Sequence, residues 1–391
     1  MNNLDYILSA KSIREQTKKV YELCKNGKTH FKLNEDKLDD VSDFVIEVIN
    51  KNYPDHKIPF HSRWGHFKVG GINRVERLDE KFDDKIELAK AKLDLAIVSV
   101  LLDAGAGMKW RYQEKSGKEF SKSEGLAIAS FDMFMEGKFS SAHKIEADGN
   151  GLTQINAQAI KEGFQVNENN PLIGIDGRVS LLNKLGELVI NNSSFKNNRP
   201  GDILDILTQK YGNQIKAEDV LKAVLFNFGS IWPGRIELDG VNLGDVWKYE
   251  PLNGELIPFH KLSSWLSYSL LEPLMDAGID IIDLNSMTGL PEYRNGGLLI
   301  DKGLIELRND EDKNISHLPD SELIIEWRSL TVQLLDQIAE NVRKKLNKSQ
   351  DEFPLVKVLE GGTWWAGRYA AKELREDGGP PLNLDSDGTV F

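Results

Sequence analysis

The stretch Leu262-Ser263-Ser264-Trp265-Leu266-Ser267-Tyr268-Ser269-Leu270-Leu271-Glu272-Pro273-Leu274-Met275 is mostly Leu, Trp, Tyr and Ser, with Glu272 as its one charge. A segment so uniformly apolar reads as a helix enclosed by other elements and sets the expectation of a helical core. Polar groups suited to chemistry stand at both of its ends. His260 and Lys261 precede it, and Glu292, Tyr293, Arg294 and Asn295 follow on a stretch that holds Gly289, Pro291, Gly296 and Gly297. Those Gly and Pro residues predict a fixed turn that presents side chains to a ligand. The plainer alternative is an ordinary helix-to-strand connection with solvated charges.

Outward from that stretch, apolar residues recur at helical spacing over most of the chain. Helices are predicted over Asp5 to Cys24, Leu38 to Ile49, Ser121 to Met135, Leu152 to Gly163, Asn170 to Val189, Asp202 to Lys210, Ala217 to Phe228 and Ser321 to Lys345. The strongest is Asp83 to Asp103, whose second half is apolar almost all round and so enters the core. Ser121-Lys122-Ser123-Glu124 has the form of a capping box. Asn253-Gly254 predicts a β-hairpin within Val246 to Pro258, and Leu298 to Leu307 adds a strand or two. Asn191 to Pro200, rich in Asn and Ser, is the expected sub-domain seam. The terminal Val390-Phe391 is expected to be docked, since a frayed tail seldom ends on two large apolar residues. The fold class is therefore mainly α, a helical two-lobed domain with a small β-hairpin or sheet element.

The 391 residues, 40% apolar and 28% charged, suit a folded chain with a sizeable core. A formal net charge of -12 argues against nucleic acid as the partner, because a phosphate-tracking protein carries a basic face. Cys24 is the one cysteine, so a disulfide framework and a thiolate metal site are excluded, and the thiol is expected in the core. No run reaches the length of a membrane span and Met1 to Lys11 lacks a signal-like apolar run, so no membrane partner and a cytoplasmic location are expected.

Candidate chemistry gathers on three loops. Ile58-Pro59-Phe60-His61 recurs as Ile257-Pro258-Phe259-His260, each with a Trp within five residues and a cation nearby (Arg63 and Lys261). Imidazole, cation and aromatic together suit a phosphorylated or ribosylated ligand, the cation holding phosphate and the ring stacking a planar group. His61 and His66 lie in a non-helical, Pro-led loop with no metal-ligand spacing, and no cofactor fingerprint is present. Asp94 and Asp103 fall on opposite faces of their helix. Asp103 stands at its C-terminal end, unfavourable for a carboxylate, before Ala104-Gly105-Ala106-Gly107, and is read as functional or as a cap for neighbouring backbone. Gly361-Gly362-Thr363 before a helix with Arg368 offers backbone N–H groups for an anion, or an ordinary N-cap. The inventory of carboxylates, histidines and aromatics suits cleavage of a glycosidic or N-glycosidic bond.

Pro59-Phe60-His61-Ser62-Arg63-Trp64, Leu101-Leu102-Asp103-Ala104-Gly105-Ala106-Gly107, Ser123-Glu124-Gly125-Leu126-Ala127, Pro258-Phe259-His260-Lys261-Leu262-Ser263, Gly289-Leu290-Pro291-Glu292-Tyr293-Arg294-Asn295-Gly296-Gly297, Glu326-Trp327-Arg328 and Asp387-Gly388-Thr389-Val390-Phe391 together resemble the uracil-catabolism protein family of fungi and bacteria, long described as a domain of unknown function. The resemblance spans the chain in order and implies one domain over 1–391, with lobes expected at 1–195 and 196–391. It implies a place in a route where uracil becomes a ribotide, the ring is opened, and a ribosylurea is split to release urea. Glu292-Tyr293-Arg294 is also similar to an acidic-Tyr-Arg loop of the queuosine-phosphate N-glycosidases, helical enzymes related to DNA glycosylases, which extends the fold expectation to a DNA-glycosylase-like one.

Two functions of different class follow. One is an N-glycosidase that needs no cofactor or metal and hydrolyses a ribosylurea or related ribotide or nucleoside to urea or base and ribose phosphate. Glu292 or Asp103 would stabilise the ribosyl cation, His61 and His260 would contact sugar or move protons, and His66 would bind substrate with them. Arg63, Lys261 and Arg294 would hold phosphate, Trp64, Trp265 and Tyr293 would wall the pocket, and Asn295 would bind substrate beside them. The other is a non-catalytic ribotide-binding or scaffold protein in contact with other uracil-degradation enzymes. A metal-dependent amidohydrolase acting on the ureido group is a third, weaker reading.

Overall fold

A computed structural model of the chain describes residues 4–103, 105–233 and 235–385. The chain is 57% helical, and among the described residues strands occur only as short pairs, so the fold is mainly α. The docking expected of Asp387 to Phe391 falls outside the described residues. The described chain divides into two compact units, 1–61 with 233–264 and 283–391, and 62–232 with 265–282. Neither unit is continuous in sequence. The 191–200 stretch expected as a seam lies inside the second, and the chain passes between units at residues 61/62, 232/233, 264/265 and 282/283.

The first unit is built on the helix Glu322–Lys345, which packs against Ala10–Lys25, Leu38–Asn52 and Tyr293–Asp301. Ser321 caps it, its side chain accepting from Ile324 N. The expected hairpin is present: Val246–Tyr249 pairs antiparallel with Glu255–Pro258. Its turn passes through Asn253 (φ 57) and Gly254 (φ 73), left-handed values that Asn and Gly tolerate best. The hairpin's Trp247, Tyr249 and Ile257, followed by Phe259, join Ile13, Val20, Ile325 and Val332 in one buried cluster.

Two expectations about glycines are corrected in this unit. Tyr293–Asp301 is a helix, so Tyr293, Arg294, Asn295, Gly296 and Gly297 do not form a loop. Gly296 lies against the Trp327 indole, which donates to its carbonyl at 2.9 Å. Likewise Gly361-Gly362-Thr363 does not open a helix. Leu355–Val358, a π-turn Leu359–Thr363 and Trp364–Leu374 are contiguous, so no helix N-terminus is available there for an anion. These glycines serve close packing: a Cβ on Gly361 would meet Ile58 at 2.6 Å, and one on Gly362 would meet Val45 at 2.6 Å.

The second unit is organised by Lys85–Leu101, in which residues 89–101 are all buried. Its neighbours are Lys122–Met135, Ile175–Asn191 and the turn Pro200–Asp202. Three charges on this helix are buried and all are paired. Lys90 reaches Asp202 and Asp205, Lys92 reaches Asp79 and Asp276, and Asp94 takes Arg199, Ala147 N and Gly201 N. The serine half of the expected capping box is not formed, for Ser121 makes no side-chain cap bond and Lys122 has φ 52. Cys24, in the first unit, is buried as expected, and burial pushes its thiol pKa up.

The glycine contacts lead to a stability test. A Cβ on Gly367 would lie 2.0 Å from the Arg294 carbonyl oxygen, whereas Gly177, exposed in the helix Ile175–Asn191, has nothing within 4 Å. Gly367→Ala is expected to lower unfolding free energy by about 1–3 kcal/mol. Gly177→Ala should raise it by about 0.5–1 kcal/mol, both read by urea denaturation.

Candidate functional site

Within the second unit, the turn Arg63–His66 places a fully buried guanidinium beside the end of the helix Lys85–Leu101. The stretch holding His61 and His66 is thus helical in part. Arg63 Nη1 lies 2.8 Å from Asp103 Oδ2, while its Nε donates to Ser99 Oγ (2.8 Å), Nη2 to the Ser99 carbonyl and Nη1 to the Ser123 carbonyl (both 3.2 Å). Burial pulls the Arg63 pKa below its ordinary value and Asp103 pushes it back up. Asp103 lies just past the helix, keeps 11% of its side chain exposed, and is well removed in role from Asp94, whose partners are Arg199 and backbone amides.

His66 Nδ1 stands 3.4 Å from Arg63 Nη1, and its ring lies 6.0 Å from the Trp265 ring. Trp64, 3% exposed, donates from Nε1 to the Ser269 carbonyl at 2.7 Å. Arg63, His66, Asp103 and Trp265 therefore form one connected set, with Trp64 on its scaffold. A carboxylate anchored by a buried cation, with an imidazole and an aromatic face alongside, can hold charge against a cationic sugar centre.

The remaining sequence candidates belong to the first unit and are held differently. Glu292 is the N-cap of Tyr293–Asp301: Oε1 accepts from Asn295 N (2.6 Å) and Oε2 from Arg294 N (2.8 Å). Arg294 Nη1 donates to the Gly378 carbonyl at 2.7 Å with its guanidinium over Tyr293, and Asn295 Nδ2 donates to the Leu290 carbonyl. His61 Nδ1 is 2.7 Å from Glu360 on the π-turn, which also accepts from Tyr53 at 3.1 Å. His260 Nε2 donates to the Ile7 carbonyl at 2.9 Å, and the Lys261 backbone N–H donates to Asp245 at 3.0 Å. The two Pro-Phe-His copies thus hold their imidazoles by unrelated partners.

Sequence reasoning missed Asp245, Arg178 and Glu360. Asp245 is a buried hub that takes both Arg328 amino groups at 2.7 Å and the Trp247 indole at 2.8 Å. Burial alone would raise its pKa, but Arg328 holds it below the ordinary carboxylate value. Arg328 stood in the quoted Glu326-Trp327-Arg328 motif; its partner, 83 residues away, left no local signal. Among the described residues, no three His, Cys, Asp or Glu side chains gather as metal ligands, and no helix is long and apolar enough to cross a membrane.

The chain belongs to the family described as protein of unknown function DUF1688, which matches residues 6–391. It is 37% identical over 438 residues to the protein named uracil catabolism protein 4 in Lachancea kluyveri, an alignment covering 100% of this chain and 99% of that one. It is also 37% identical over 400 residues to the protein named urg3 in Schizosaccharomyces pombe, covering 98% of each.

His260 leads to a pH test. Burial lowers its pKa, so the folded ring stays neutral while the unfolded ring takes a proton near pH 6.5. The unfolded state then binds more protons below that value, so this contribution to stability is full above it and is lost as pH falls. The urea midpoint is expected to drop between about pH 7.5 and about pH 5.5, and His260→Gln to flatten that dependence.

Proposed function

We propose that this chain acts in uracil breakdown as an N-glycosidase, hydrolysing a ribosylurea or related ribotide to urea or base and ribose phosphate. Its whole-length relationship to the protein named uracil catabolism protein 4 supports the route. The observation that carries the chemistry is Asp103, partly exposed and anchored to a buried guanidinium. Glu292 is the weaker candidate, because both its oxygens already serve backbone amides of its own helix.

In this reading the bond between C1′ and the ureido nitrogen breaks, leaving a cation-like sugar centre opposite the Asp103 carboxylate. Water adds its oxygen to C1′ and gives one proton to the carboxylate; that proton is passed on to the leaving nitrogen as urea forms, which returns Asp103 to its charged state. Arg63 holds Asp103 in place, His66 is the nearby group able to carry a proton, and Trp265 offers a ring face.

The test is to supply purified protein with ribosylurea 5-phosphate and assay urea and ribose phosphate. Asp103→Asn is expected to cut turnover by at least about 100-fold with the fold intact. Glu292→Gln should leave turnover within about threefold while costing about 1 kcal/mol of stability through the weakened cap. Loss of turnover with Glu292→Gln alone would move the catalytic role to Glu292. Ligand-induced stabilisation without product would favour a ribotide-binding protein instead.

A further inference from the structure

Asp103 is placed where a helix least tolerates a carboxylate, just past the C-terminal end of Lys85–Leu101, whose last carbonyls carry partial negative charge. Arg63 answers that charge from one side. The other answer comes from Arg178, in the first turns of Ile175–Asn191, a residue 1% exposed that the proposed chemistry does not use.

The Arg178 side chain folds back over the start of its own helix and fastens backbone carbonyls. Nε donates to the Leu102 carbonyl at 2.9 Å, Nη2 approaches the Gly105 carbonyl at 3.4 Å, and Nη1 donates to the Ile173 carbonyl. Leu102 precedes Asp103 and Gly105 follows it by two, so one planar fork grips the chain on both sides of the carboxylate. The stretch is pinned again nearby, where Ile173 N donates to the Ala106 carbonyl at 3.5 Å and Gly107 (φ 80) packs beneath Ile173. Around Asp103 on these packed elements stand the cations Arg63 and Arg178 and, one contact further, the His66 imidazole. A lysine could supply the charge but not the fork.

We propose that Arg178 is a positioning residue for Asp103: its guanidinium caps the helix end, fixes the backbone on both sides of the carboxylate, and adds a second buried cation that offsets the helix dipole. The assignment rests on the reading of Asp103 as the working carboxylate, but its structural part can be measured without turnover.

The test compares the full-length chain with Arg178→Gln and Arg178→Lys. Amide exchange of the 102–107 segment is expected to rise at least about tenfold in Arg178→Gln, with the helix Lys122–Met135 unchanged. With ribosylurea 5-phosphate, kcat should fall by about 100-fold and KM by less than about threefold in either direction, since a small misplacement of a catalytic group acts on the chemical step. Arg178→Lys should show the same local loosening with a smaller loss of kcat, and is the variant to read if Arg178→Gln does not fold. Unchanged exchange at 102–107 in a folded variant overturns the proposal, as does a kcat equal to that of the parent. If the parent itself releases no urea while the exchange rise is confined to 102–107, the positioning role stands and the N-glycosidase reading falls.

Discussion

Arg328 and Asp245 meet through two 2.7 Å bonds inside the first unit, and that pair fixes what surrounds it. A buried charge is tolerated only when an opposite charge and hydrogen bonds replace the lost water. Asp245 has both: the Arg328 fork, the Trp247 indole and the Lys261 amide, while its own carbonyl accepts from Phe259 and His260. The hairpin, the His260 turn and the start of the helix Lys261–Asp276 therefore share one anchor. The residues beside Arg328 extend this. Glu326 takes the Tyr249 hydroxyl and the His30 amide, and Trp327 donates to Gly296. Three consecutive residues of one helix so tie down three separate segments.

The second unit obeys the same constraint with different residues. Lys90, Lys92 and Asp94 are the buried charges of their helix, and each reaches a partner far away in sequence. At the end of that helix the pattern changes in one respect that matters for function. Asp103 is anchored by Arg63 and keeps 11% of its side chain exposed, whereas Asp94 is fully enclosed and Asp245, at 9%, is committed to Arg328, the Trp247 indole and the Lys261 amide. A partly exposed carboxylate held by a buried cation suits cleavage of an N-glycosyl bond, and Asp103 differs in this from Asp94, which is fully enclosed, and from Glu292, which caps its own helix.

Helices were legible because they depend on short-range periodicity. Ala217–Phe228 has the bounds the apolar spacing predicts, and Asn253-Gly254 marks the hairpin turn through local backbone preference alone. Glycines misled for the same reason. Gly296 read locally as part of a turn and Gly361 and Gly362 as a helix start, yet all three lie within helical stretches where neighbouring side chains come too close for a Cβ. The capping box at Ser121 failed as well: the motif was present but the backbone at Lys122 took a left-handed turn.

The candidate site divides in the same way. Sequence by itself determined a mainly α chain, a set of residues with the chemistry for a ribosylated ligand, and the motifs that resemble a known family. Whether those residues belong together was decided only by tertiary structure. Arg63, His66, Asp103 and Trp265 join through contacts spanning up to about two hundred residues, while Glu292 turns its carboxylate onto its own helix. Arg178 and Asp245 carried no local signal, because a residue's period and propensity describe its own element, whereas the partner of a buried charge is set by how distant elements pack.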